Sequence, residues 1–177
     1  MVESISGRDF SLYCPADSDW DNGASSEVLM TDSHTGRSQA FRAAAERRIE
    51  LKQALSDVEI AAASPSGAPA WRDRVLEQLQ SLRTALLQHV EEVEHESGLL
   101  AEILDVAPRL ANKIALVRDE HPKLCEQVAN AITMTKTSSD AEEIRAEILL
   151  ALSAIARHRQ RGADLVYEGY DVDIGGS

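Results

Sequence analysis

LQSLRTALLQHVEEVEHESGLL, residues 79–100, is the stretch that decides how this chain folds. Leu79, Leu82, Leu86, His89, Val93, Glu96 and Leu100 recur at steps of three and four. That spacing puts side chains on one face of an α-helix. Gln, Arg, Glu and Ser fill most of the other positions, so the opposite face is polar. One residue is out of character. His89 sits in the middle of the apolar stripe, where an imidazole is costly to bury unless something pairs with it.

The same period continues on both sides. It predicts a helix over about 70–104, preceded by one over about 37–63 with the stripe Phe41, Ala44, Arg48, Leu51, Leu55, Val58 and Ala62. Between them, Ser64-Pro65-Ser66-Gly67-Ala68-Pro69 breaks the chain. A third helix is predicted over about 108–136, with Leu110, Ile114, Val117, His121, Leu124, Val128 and Ala131 on its seam. Pro108 suits a first helical turn, and Pro122, inside the stripe, predicts a kink. Ser139 and Glu142 have the spacing of a capping box. They introduce a fourth helix over about 140–168, whose seam is Ile144, Ile148, Ala151, Ile155, His158, Gly162 and Leu165. Four long amphipathic helices with tight connections predict an all-α fold. It is read as an up-down-up-down antiparallel four-helix bundle over residues 37–177.

Residues 1–36 carry no sustained period and are rich in Ser, Asp and Gly, which reads as a loosely ordered or surface-docked N-terminal arm. His34 within it is expected to be an exposed loop residue. The 177 residues carry a net charge of −12, which argues against nucleic acid or an anionic membrane as a partner. Aromatic residues make up only 4% of the chain, so aliphatic side chains must build its core. The two cysteines, Cys14 and Cys125, form no disulfide framework and no C-x-x-C motif. No basic segment followed by an apolar run opens the sequence, and no apolar run reaches the ~20 residues of a membrane span. A cytoplasmic protein is the resulting expectation.

Helical rise tests whether the polar residues on the seams meet. Arg48 lies 17 residues before Pro65, and His89 lies 18 after Trp71. His121 lies 17 before Ser138, and His158 lies 18 after Asp140. At ~1.5 Å per residue, antiparallel packing brings Arg48, His89, His121 and His158 into one layer. Glu92 and Glu96, three and seven residues after His89, lie near its face. Glu94, at i+5, points roughly 140° away from it. His95 points outward, and Glu120 lies off the seam as a surface charge. Inward histidines and carboxylates from facing helices are how bundles hold iron or manganese. Arg48 cannot coordinate a metal. The alternative is therefore a metal-free layer in which Arg48 pairs with Glu92 or Glu96 and the histidines bond to one another.

The order of motifs resembles the hemerythrin-like (HHE cation-binding) domain family over about residues 37–175. The likeness is carried by HVEEVE at 89–94, GLLAEIL at 98–104, APRL at 107–110, DEHPKL at 119–124 and HRQRGADLVYEGYDVDIG at 158–175. The resemblance implies a helical bundle with a non-haem iron centre that binds or senses oxygen. It places His89, His121 and His158 at ligand positions, with Glu94 as the second-helix carboxylate. It also puts Arg48 where the first-helix histidine would stand, and Gly162 and Ala163 where the fourth-helix carboxylate would stand. The expectation is an altered His/Glu site holding a single iron or an incomplete di-iron pair. Its ligands would be His89, His121 and His158 with Glu92, Glu94 or Glu96, and its partners a metal ion and O2. No Ser-His-Asp order, phosphate loop or paired acid–base signature indicates an enzyme. The structural or protein-interaction bundle without metal stays open as the second reading.

Overall fold

The computed structural model describes residues 33–170, and for 33–38 the backbone alone. Most of the expected N-terminal arm, with Cys14, lies outside the described residues. Every regular element among those described is helical. They are α1 (Ser33–Ala63), α2 (Trp71–Glu94), α3 (Leu99–Val106), a 3-10 turn (Pro108–Leu110), α4 (Ala111–Arg118), α5 (His121–Thr137) and α6 (Ala141–Tyr170). α1 packs on α2, α2 on α5, α5 on α6, and α6 back on α1. No helix among the described residues is long and apolar enough to cross a membrane.

The seams found in the sequence form the core. Leu51, Val58, Leu79, Leu82, Leu86, Val128, Ile148 and Ile155 make one aliphatic cluster together with Trp71. A second cluster gathers Ala44, Val93, Leu100, Ile103, Ile114 and Leu165 around α3 and α4. In α2 and α6 the seam histidine falls between the helix's contributions to the two clusters, and His121 stands at the start of α5, ahead of that helix's contribution to the first. Phe41 departs from the expected stripe. It is 40% exposed and stands edge-on to Tyr170, with the ring centroids 5.8 Å apart.

One end of the bundle is tied by helix-end carbonyls, which have no partner inside their own helix. Trp71 Nε1 donates to Ala61 O at 3.1 Å. Arg145 donates to Ala62 O at 2.9 Å and Ser64 O at 3.0 Å, closing the end of α1 from α6. Arg72 at the start of α2 donates to Thr135 O and Ser138 O, both at 2.6 Å, closing the end of α5. The start of α6 is capped one residue later than the capping-box spacing suggested: Asp140 Oδ1 accepts from Glu142 N at 2.8 Å. Ser138 rather than Ser139 joins that turn, accepting from Asp140 N at 3.0 Å.

Two of the four expected helices are broken, both near the histidines. The second stops at Glu94 because the chain turns tightly through His95 to Gly98, whose N–H donates to His95 O at 2.7 Å. A Cβ on Gly98 would lie 2.5 Å from Glu92 O and 2.9 Å from His95 O, so the turn admits only glycine. The third helix breaks at Asp119–Glu120. Pro122 sits in the first turn of α5. There it needs no N–H, whereas in a continuous helix it would remove a hydrogen bond and clash with the turn before it. The expected kink is thus a full restart.

Candidate metal centre

His89 projects from the last two turns of α2, His121 is the first residue of α5, and His158 lies past the middle of α6. All three are buried, at 7%, 1% and 2% exposure. Their rings meet edge to face. Centroids are 5.8 Å apart for His89–His121, 5.7 Å for His89–His158 and 4.7 Å for His121–His158. One nitrogen from each ring lies within 4.8 Å of the other two. His121 Nε2 and His158 Nε2 approach to 3.2 Å.

The outer nitrogens of two rings are held by carboxylates. Glu94 Oε1 takes His121 Nδ1. Glu120 Oε2 accepts from His158 Nδ1 at 2.8 Å. Each carboxylate faces an arginine on its far side: Arg161 Nε is 2.6 Å from Glu120 Oε1, and Arg118 Nε is 4.0 Å from Glu94 Oε2. Two parallel relays, Arg118–Glu94–His121 and Arg161–Glu120–His158, therefore converge on the same point. Burial pushes the Glu120 carboxyl up, but the hydrogen bonds from His158 and Arg161 outweigh it and hold the group below its ordinary value. Burial lowers His158 despite the neighbouring Glu120. His89 has no carboxylate. Burial, the other two imidazoles, Arg48 and Arg159 push it down to about 3, and its Nδ1 is buried without a hydrogen-bond partner. His89 is therefore a neutral imidazole at physiological pH.

The structure sorts the carboxylates expected around His89. Glu94 reaches the layer, but by crossing to His121 on the next helix rather than by sharing the face of His89. Its 140° offset from His89 aims it at the start of α5. Glu92 lines a surface groove with Arg47, Gln88 and His95. Glu96 is exposed, because the Gly98 turn ends the helix before the seam reaches it. Arg48 makes no ion pair with either. Its Nε donates to Ala44 O at 3.2 Å, and its guanidinium lies 5.7 Å from the Phe41 ring centroid. The Arg48–Glu92/Glu96 network of the metal-free reading is thus not formed among the described residues.

Glu120 was read as a surface charge and is instead part of the site. The signal was present in the sequence. A proline two residues on marks a helix start, and the residue before that start can turn its side chain inward.

Beside the histidines lies a cavity of about 40 Å³. Apolar side chains, among them Val93, Leu100 and Ile103, form most of its wall, and Arg48, Arg159 and Gly162 complete it. Compared with family models, with curated proteins and with solved structures, the chain finds no match.

Proposed function

We propose that this chain is a hemerythrin-like metal-binding bundle whose His89, His121 and His158 hold one divalent first-row metal. The observation that carries the reading is the 3.2 Å approach of His121 Nε2 to His158 Nε2 while both Nδ1 atoms are committed to carboxylates. An ionised carboxylate can only accept, so each Nδ1 must donate. In the neutral rings, both inward nitrogens then present lone pairs to each other. Something positive has to sit between them. Metal–imidazole bonds of about 2.0–2.1 Å place two nitrogens about 3.3 Å apart in a tetrahedral site, close to the separation found.

The carboxylates behind His121 and His158 fix their tautomers and raise their basicity, as they do for metal-binding histidines generally. Imidazole donors suit iron, zinc, copper and nickel. Iron is the ion that the hemerythrin resemblance implies, with a role in binding or sensing rather than turnover. The antiparallel order of the long helices is part of the same proposal. It is supported by the arginine caps, which bring the ends of α1 and α5 together with the starts of α2 and α6.

A shared proton on the His121–His158 contact is the metal-free alternative, since 3.2 Å is also a long hydrogen bond. It leaves His89 Nδ1 without a partner. The two readings separate on protein purified anaerobically. The metal site predicts about one equivalent of metal by elemental analysis, a rise in melting temperature on adding metal, and loss of both in His121→Ala and in His158→Ala. No iron, zinc, manganese, copper or nickel, and no thermal response to any of them, would sink it.

A further inference from the structure

The three imidazoles are not held alike. His121 and His158 each have one nitrogen fixed by a carboxylate, Glu94 or Glu120, and each carboxylate has an arginine behind it. Neither ring nitrogen of His89 has a hydrogen bond among the described residues, although its Nδ1 is buried. The rings are unequally spaced as well. The centroids of His121 and His158 are 4.7 Å apart, while His89 stands 5.8 Å from the first and 5.7 Å from the second. On one side His89 borders the cavity of about 40 Å³, where no side chain braces its ring. Charge is distributed in the same sense. Glu94 and Glu120 put negative charge behind His121 and His158. The two arginines that act on His89, Arg48 and Arg159, oppose positive charge at its ring.

We infer, on the metal-binding role proposed above, that the three ligands are unequal: His121 and His158 anchor the ion, and His89 is an exchangeable ligand that leaves and returns while the ion stays. An imidazole whose second nitrogen is hydrogen-bonded is the stronger and better-oriented donor. The paired Nε2 atoms of His121 and His158 are such donors, and the charges around the layer draw a divalent ion toward them. When His89 turns away, it opens a position on the cavity side. Apart from the histidines, the cavity is lined by apolar side chains, Gly162 and two arginines. None of these can ligate a metal, so the wall supplies no replacement. The open position is refilled by His89 or by a ligand from outside.

Zinc affinity of the full chain, measured by competition with a chromophoric chelator, tests the ranking. His89→Ala is expected to keep one equivalent of zinc with affinity weakened about tenfold, while His121→Ala and His158→Ala lose about a hundredfold or more. Circular dichroism identifies any variant that fails to fold. A second measurement needs no variant. In the zinc-loaded chain labelled with nitrogen-15, the rings of His121 and His158 should give fixed metal-bound signals. Those of His89 should be broadened or shifted toward their metal-free positions by exchange. Equal losses in the three variants, or a His89 ring bound as firmly as the other two, overturns this inference and leaves the metal site standing. Failure of the unaltered chain to bind zinc or any other first-row ion overturns both.

Discussion

At the scale of single residues, the site depends on which nitrogen of each imidazole is free. Glu94 and Glu120 decide this by occupying the Nδ1 atoms of His121 and His158. Glu120→Gln keeps the shape but removes the charge, and the amide can present its donor to Nδ1, favouring the wrong tautomer. It should weaken metal affinity by about 10- to 100-fold, measured by competition with a chromophoric chelator, while changing thermal stability without metal little. An equal loss of stability would make Glu120 a structural residue instead.

The three histidines were legible because a 3.6-residue period put each on a seam, and helical rise put them at one height. Glu120 was missed, because reading a continuous helix through Pro122 turns it outward. The chain restarts there, and one residue before the restart is free to reach His158. Arg48 stood correctly at the edge of the layer, but its partner was misread. With Glu92 and Glu96 directed elsewhere, its Nε turns back to Ala44 O and its guanidinium lies over the Phe41 ring.

At the scale of elements, two breaks shape the site, one at Pro122, which a continuous helix does not tolerate, and one at the tight turn that Gly98 permits. Gly98 is required by close backbone approach, so Gly98→Ala should cost about 1–3 kcal/mol through overpacking. Gly162 sits mid-helix in α6 with open space around its Cα. Gly162→Ala should therefore stabilise the protein, by about 0.5–1 kcal/mol from helix propensity. Chemical denaturation of the two variants side by side checks both signs. The stripes located the helices to within a few residues, but the break at residues 95–98 was hidden, because Leu99, Leu100 and Ile103 continue the apolar pattern beyond it. Periodicity reports which face is buried; it does not report whether the backbone between two buried faces is unbroken.

At the scale of the whole molecule, the buried titratable groups push stability in one direction. His89 titrates at about 3 in the folded chain, against an ordinary value of 6.5, and His158 is lowered too. The unfolded chain therefore takes up these protons first. Their contribution is complete above about pH 6.5 and is lost progressively as pH falls toward 3, at about 1.4 kcal/mol per pH unit per proton. Glu120, also lowered, adds a loss of the same sign at lower pH. Metal-free protein should thus melt at steadily lower temperature from pH 7 to pH 4. A His89→Leu variant should flatten that slope, and an unchanged slope would mean that His89 is protonated in the folded state.

The arginine caps of Arg72 and Arg145 have a kinetic consequence. They lock four helix ends far from the histidines, while α3, α4 and the turns around them (each helix only eight residues long) close the site from the opposite end. Short helices held by few contacts open before long ones do. Amide hydrogens in α3 and α4 should accordingly exchange through a partial opening that spares the Leu79–Ile148 core, and added metal should slow them specifically. Release of a bound ion would then follow the rate of that local opening, by a route that never requires the chain to unfold.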